Sequence, residues 1–192
     1  MKQNSLLARG FTLIELVVTI AIVAILMVVA VPSFTTYQRN SELTAHANSL
    51  LAAINAARTE AMKRGRYAMV VPTDGVNWSS GWVVFVDIDR SQVYSAATDV
   101  TIFVAPPPPS YLTITGNGAA GAAAPYIMYD AAGYSRNKIG GFGPLTFELK
   151  RSDVSGTEQL AQTRRVKISS MGRARVCTPK TAGDTDCSQT AS

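Results

Sequence analysis

Apolar residues fall along this chain in three successive regimes. Residues 11–31 form an apolar run interrupted by one carboxylate, Glu15. At 1.5 Å per residue a helix of that length spans roughly 30 Å, one bilayer crossing. Farther on, Leu43, Ala47, Leu50, Leu51, Ile54, Ala57 and Ala61 follow an i, i+3, i+4, i+7 rhythm, while Glu42, Asn48, Asn55 and Glu60 occupy other positions. That rhythm predicts that the helix continues with one buried stripe. Gly65 is its expected C-cap, and Lys63 and Arg64 suit the dipole of its last turn. Pro32 is expected to kink or locally melt it.

From Tyr67 onward the pattern is of short runs rich in β-branched and aromatic residues. Strands are predicted at 68–71, 82–87, 101–104, 112–115, 126–129, 145–149, 165–169 and 173–177. Turn signals separate them, at Asp74-Gly75, Gly116-Asn117-Gly118, Gly140-Gly141 and Ser170-Met171-Gly172. The prolines at 106–109 predict a stiff polyproline connector, and the small residues of 116–124 a mobile loop. The fold class is therefore α+β: a long N-terminal helix, its first half membrane-spanning, whose second half covers one face of an antiparallel sheet.

About 160 residues remain outside the leader and membrane segment, enough for one globular domain. The domain plan is 1–10 leader, 11–31 membrane helix, 32–65 exported helix, and 66–192 β-rich domain. Both cysteines, Cys177 and Cys187, lie near the end of the chain, and in an exported domain such a pair predicts a disulfide. A metal site there would lack ligands, since the one histidine, His46, is far away on the helix. Asp87 and Asp89 do not complete a hard-cation site and read as a solvated turn. No nucleophile–base pair, carboxylate dyad or Walker loop is evident, so neither enzymatic activity nor a cofactor is expected.

The leader, residues 1–10, carries Lys2 and Arg9 and no acid. An ordinary secretory signal loses its apolar core on cleavage. Here the Arg9-Gly10 pair precedes the core, so a cut after Gly10 would leave the core on the mature chain. The leader's positive charge predicts a cytoplasmic N-terminus with the remainder outside. A carboxylate in a membrane helix costs about 2.5–3.5 kcal/mol at the helix centre and less near its end, so Glu15 asks for a cation. The α-amine of a newly exposed Phe11 is the nearest.

Arg9-Gly10-Phe11-Thr12-Leu13-Ile14-Glu15-Leu16 followed by an apolar run resembles the class III signal of type IV pilins and type II secretion pseudopilins. The resemblance implies cleavage after Gly10 by a prepilin peptidase, N-methylation of Phe11, and docking of Glu15 onto the terminal amine of a neighbouring pilin subunit. It also implies an inner-membrane, single-pass subunit that passes through the periplasm into a surface pilus. Two further segments resemble the GspH/FimT-type pseudopilins: the tryptophan-glycine-tryptophan strand spanning Trp78, Gly81 and Trp82, and Gly172-Arg173-Ala174-Arg175 before Cys177.

Charge is polarised along the exported domain. Between Arg136 and Lys180 ten cations face three acids, whereas between Arg66 and Ser135 two cations face five acids. Clustered Lys and Arg are the electrostatic footprint of a nucleic-acid binder. Arg173 and Arg175 are two apart on a predicted strand and share a face, as do Arg165 and Lys167 on the strand before. A hairpin at Ser170-Met171-Gly172 would bring these cations side by side, and Gly172 leaves room for close approach by a backbone. A strip of guanidiniums matches successive phosphates without reading bases.

FimT-like members of the family are associated with DNA capture during natural transformation. The resemblance thus implies a minor pilin that binds extracellular DNA, with Arg173 and Arg175 matching the motif. Arg164, Arg165, Lys167 and Lys180 are added by proximity and charge. The alternatives are a structural pseudopilin of a type II secretion system, a minor pilin that primes assembly, or a pilin-shaped adhesin. A Gly10→Ala variant is expected to accumulate as uncleaved precursor in the inner membrane. Normally processed protein on an immunoblot of that variant would overturn the reading of the leader.

Overall fold

The computed structural model describes residues 11–190 of the chain. It divides into two compact units, residues 1–40 and 41–192. Helix α1, Leu13–Arg64, starts in the first and ends in the second. It is long and apolar enough to cross a membrane.

In the first unit Leu13, Ile14, Leu16, Ile25 and Val28 each leave more than half of their surface uncovered. The helix start is capped by Thr12, whose Oγ1 accepts the Glu15 N–H at 3.3 Å and whose carbonyl accepts the Leu16 N–H at 3.2 Å. Thr12 and Glu15 have the spacing of a capping box, and the Glu15 charge lies where the helix dipole favours an anion. This local role was legible in the Thr-x-x-Glu spacing but is not part of the reading above. The predicted melting at Pro32 does not occur: α1 runs unbroken through it. Proline removes one N–H, and in so long a helix the bonds on either side hold the chain in register.

In the second unit the predicted stripe is the core except for Leu51, which is only partly buried, and Ala53 joins it. Leu43, Ala47, Leu50, Ala53, Ile54, Ala57 and Ala61 have no exposed surface. The helix ends at Gly65, which takes φ 64°, and the Arg66 N–H reaches back to the Ala61 carbonyl at 3.2 Å. That bond is the outer one of a Schellman motif.

All eight predicted strands form, with ends within two residues of expectation: β1 Ala68–Pro72, β2 Trp82–Val86, β3 Val100–Ala105, β4 Leu112–Gly116, β5 Ile127–Tyr129, β6 Leu145–Arg151, β7 Thr163–Ile168 and β8 Ala174–Cys177. They build two antiparallel sheets, ordered β3-β2-β1-β5 and β4-β6-β7-β8, instead of the single sheet expected. The prolines after β3 explain the break. They have no N–H to donate to a ladder, so the chain leaves the first sheet and β4 pairs with β6. The helix stripe and the inner faces of both sheets share one core, which includes Val70, Val84, Ile114, Phe147 and Val166.

The small-residue loop predicted to be mobile is anchored instead. Ala120 is buried, and its carbonyl accepts the Trp78 indole N–H at 2.8 Å. The Trp78 ring meets Phe147 edge-on, with centroids 4.9 Å apart. Trp78 therefore ties the loop to β6, a use of the tryptophan that loop composition could not reveal.

The turn between β7 and β8 is equally fixed. Gly172 has φ 81°, and a Cβ there would sit 2.0 Å from the Gly133 carbonyl oxygen. The buried Tyr129 hydroxyl donates to the Gly172 carbonyl at 3.1 Å, and burial pushes that phenol's pKa upward, so it remains a donor. The backbone that approaches Gly172 closely is thus the protein's own. Gly172→Ala should destabilise the domain by about 2–4 kcal/mol, through the positive φ and the clash together. Thermal unfolding followed by circular dichroism measures this, and an unchanged midpoint would refute it.

Candidate nucleic-acid interface

β7 and β8 form an antiparallel hairpin in which Lys167 lies opposite Arg175, and Arg165 opposite Cys177. Val166 and Ile168 alternate with the cations and enter the core. Strand alternation therefore brings Arg165, Lys167 and Arg175 to one outer face, as their spacing predicts. Ser169 N–H donates to the Arg173 carbonyl at 3.0 Å, so Arg173 sits on the turn just before β8.

The face is not an open strip, however. Cys177 and Cys187 are disulfide-bonded, with Cα atoms 5.9 Å apart, and the chain after Cys187 crosses the cations. Arg165 is 6% exposed. Its Nη1 donates to the Cys187 carbonyl, and its Nε and Nη2 both reach one Glu148 carboxylate oxygen, at 3.0 and 2.8 Å. Lys167 is 4% exposed and donates to Ser188 Oγ at 3.0 Å. Gln189 donates to the same Glu148 oxygen, and its carbonyl accepts from Asn117 Nδ2 at 2.7 Å. Asp184 holds the intervening loop by accepting the N–H groups of Lys180, Asp186 and Cys187.

Arg165 and Lys167 are therefore not surface cations, contrary to the sequence reading. Alternation did place them on the outer face, but the tail covers that face, and a buried charge must be paired. Burial, and then the charges of Arg175 and Arg165, push the Lys167 pKa below the ordinary lysine value, against the opposing pull of Asp186 and Asp184. Arg164 also leaves the set. It is one residue out of phase, half-buried, and Nη1 donates to the carbonyls of Ala161 and Thr163, both at 2.9 Å. Gly172 is structural, as described above.

Arg173, Arg175 and Lys180 remain exposed. Arg175 donates to the Asp186 carbonyl, while among the described residues the Arg173 side chain makes no hydrogen bond or ion pair. Together with Lys167, Ser169 and Met171, the two arginines line an open groove of about 390 Å³. Two guanidinium forks over an open groove can bind phosphates and need no base contact. Gly10 lies outside the described residues.

Asp87, Asp89 and Asp99 come within 4.8 Å of one another through their carboxylate oxygens. Asp87 and Asp99 are buried, so the solvated turn read from sequence holds for the exposed Asp89 and is corrected for Asp87. Asp87 accepts the N–H groups of Ser91 and Gln92, and Asp99 those of Ile88 and Ser95. These carboxylates organise the loop after β2. Burial is the main cause that raises the Asp87 pKa.

Beside the β7–β8 turn stands a loop that the sequence reading counted only as charge. It carries Tyr134, Arg136, Lys138 and Phe142, and Ser135 N–H donates to the Ser170 carbonyl at 3.2 Å. Aromatic residues interleaved with cations were the available signal.

The family model described as type II transport protein GspH matches residues 46–172, and that of the prokaryotic N-terminal methylation motif matches residues 7–31. Among solved structures, the type IV minor pilin FimU of Pseudomonas aeruginosa is similar, with a TM-score of 0.53 and 18% identity over 73% of this chain and 92% of that one. The minor pseudopilin EpsH from the type 2 secretion system of Vibrio cholerae has a TM-score of 0.50 and 14% identity, over 73% of this chain and 98% of that one. These likenesses concern the fold. No curated protein matches the chain.

Glu148 is the hub of the tail's attachment. Burial alone would raise its pKa, but hydrogen bonds from Gln189 and Arg165, with the charges of Arg165 and Lys150, hold it below the ordinary value of 4.5. The folded pKa is depressed, so the stabilisation is fully present above pH 4.5 and is lost as pH falls through the folded value. Hydrogen exchange of residues 187–190, corrected for intrinsic rates, should show the tail loosening as pH falls below 4.5. Glu148→Gln should loosen it at neutral pH and remove that dependence. Equal protection across the range would refute the role.

Proposed function

The chain belongs to the family of the type II transport protein GspH, and from that premise we propose that it is a minor type IV pilin that binds extracellular DNA without sequence preference, for uptake in natural transformation. The family makes it a pilin or pseudopilin subunit that works among other such subunits. The methylation motif and the apolar helix suit a membrane-anchored precursor. On this reading a prepilin peptidase cleaves after Gly10, Phe11 is methylated, and Glu15 docks onto a neighbour's amine. The precursor spans the inner membrane once, N-terminus cytoplasmic, before its extraction through the periplasm into a pilus.

The observation that carries the DNA reading is the pair of exposed guanidiniums, Arg173 and Arg175, lining an open groove. Arg173 is unengaged among the described residues, so phosphate binding need not break an existing ion pair. Lys180 adds a third exposed cation nearby in sequence. Arg165 and Lys167 act indirectly, by anchoring the tail at Cys187 and Ser188. A second reading, a structural subunit of a type II secretion system or a primer of pilus assembly without DNA binding, is favoured by the exposed apolar surface of α1.

Electrophoretic mobility shift with the full chain in non-ionic detergent separates the two. The chain should retard DNA of arbitrary sequence, and Arg173→Ala with Arg175→Ala should weaken binding by about ten-fold or more. If both arginines contact phosphates, the slope of log affinity against log salt on duplex DNA should become shallower by about 1.8, at about 0.9 per contact. Absent binding, or binding and slope unchanged in the double variant, leaves the structural reading in place.

A further inference from the structure

The loop between β5 and β6 presents aromatic rings and cations beside the arginine-bearing turn. Phe142 is 56% exposed and Tyr134 is 37% exposed, and their rings meet edge-on with centroids 5.7 Å apart. The Arg136 guanidinium lies 4.4 Å from the Phe142 centroid and 5.6 Å from that of Tyr134, and its Nε donates to Asp130 at 2.6 Å. The Lys138 ammonium lies 4.9 Å from the Tyr126 ring.

The loop is rigid. Gly143 N–H and the Ser135 carbonyl are bonded at 3.0 Å, Ser135 Oγ donates to the Gly143 carbonyl at 2.6 Å, and Asn137 closes the tip through Gly141. It is also fastened to the β7–β8 turn. Arg58 donates to the carbonyls of both Gly133 and Met171, at 3.0 and 3.3 Å, and Gly172 packs against Gly133. A large apolar ring left exposed on a rigid loop, in the basic half of the domain, has no use in the core.

We propose that Phe142 and Tyr134, with Arg136 against both rings, form a stacking platform for unpaired bases, which makes the chain prefer single-stranded over duplex DNA. The proposal rests on the DNA-binding reading and adds a substrate class to it. Bases within a duplex are already stacked and cannot reach a ring face, whereas an unpaired base can. Charge complementarity selects this occupant: the Arg136 guanidinium lies against both rings, and the exposed Arg173 stands on the adjoining turn. The platform reads no sequence, since every base has a π-face.

Fluorescence anisotropy tests this with the full chain in detergent, a labelled oligothymidine and a labelled duplex of equal length. The wild type should bind the single strand more tightly. Phe142→Ala should weaken single-strand binding by about ten-fold and change duplex binding by less than about two-fold. Phe142→Leu keeps the apolar volume without the π-face and should behave like alanine, whereas Phe142→Trp should retain binding. The exposure of the side chain makes all three compatible with folding, which circular dichroism checks.

Unchanged single-strand binding in Phe142→Ala, or an equal loss on both DNA forms, overturns the platform. Loss of filament incorporation with DNA binding intact also overturns it and assigns the surface to a neighbouring subunit. If the wild type binds neither DNA form, the DNA-binding reading itself falls. If it binds both and the Phe142 variants are silent, only the platform does.

Discussion

Everything in the second unit depends on one stripe of α1. From Leu43 to Ala61 its inward side chains have no exposed surface, and they meet the inner faces of two separate sheets. Four of the seven are alanines, which let the helix backbone lie close to the strands, while Leu43, Leu50 and Ile54 fill the remaining space. Replacing any of these three by alanine would remove apolar contact and leave a cavity, at a cost of about 2–5 kcal/mol. The helix thus serves as the shared floor of both sheets. Through Arg58 it also fixes where the loop at Gly133 meets the turn at Met171.

That arrangement governs the fate of the cations. Sheet alternation sends Arg165, Lys167 and Arg175 outward, yet only Arg175 stays in solvent. A tail held by the Cys177–Cys187 disulfide crosses the other two, and each then acquires a partner. Desolvating a charge is costly enough that burial without pairing is not an option, so Glu148 of β6 and, from the tail, Ser188 and the Cys187 carbonyl supply the partners. The basic strip divides by task. Its inner members hold the tail, and its outer members, Arg173 and Arg175, face the groove. The GspH match ends at Gly172, so both arginines and the disulfide lie beyond the matched segment.

Much of the fold was legible because it is written in local periodicity. The 3.6-residue rhythm from Leu43 to Ala61, the glycine at the helix end and the eight β-rich runs each depend on neighbours a few residues away. The partition into two sheets was not legible, although its cause, a proline run without N–H donors, was visible. The candidate site was legible in composition and phase. Arg173 and Arg175 were found by spacing, but the loss of Arg165, Lys167 and Arg164 from the surface was not.

By itself the sequence determined the membrane-length helix, the amphipathic stripe, the strands and the face on which each alternating cation sits. These follow from residue periods of 3.6 and 2, which no distant contact can alter. Only the tertiary structure decided which cations water can reach, that the backbone approaching Gly172 is that of Gly133, and that Tyr134 and Phe142 stand beside the arginine turn. Those outcomes depend on segments distant along the chain meeting in space, and solvent access is a property of that meeting, not of any residue alone.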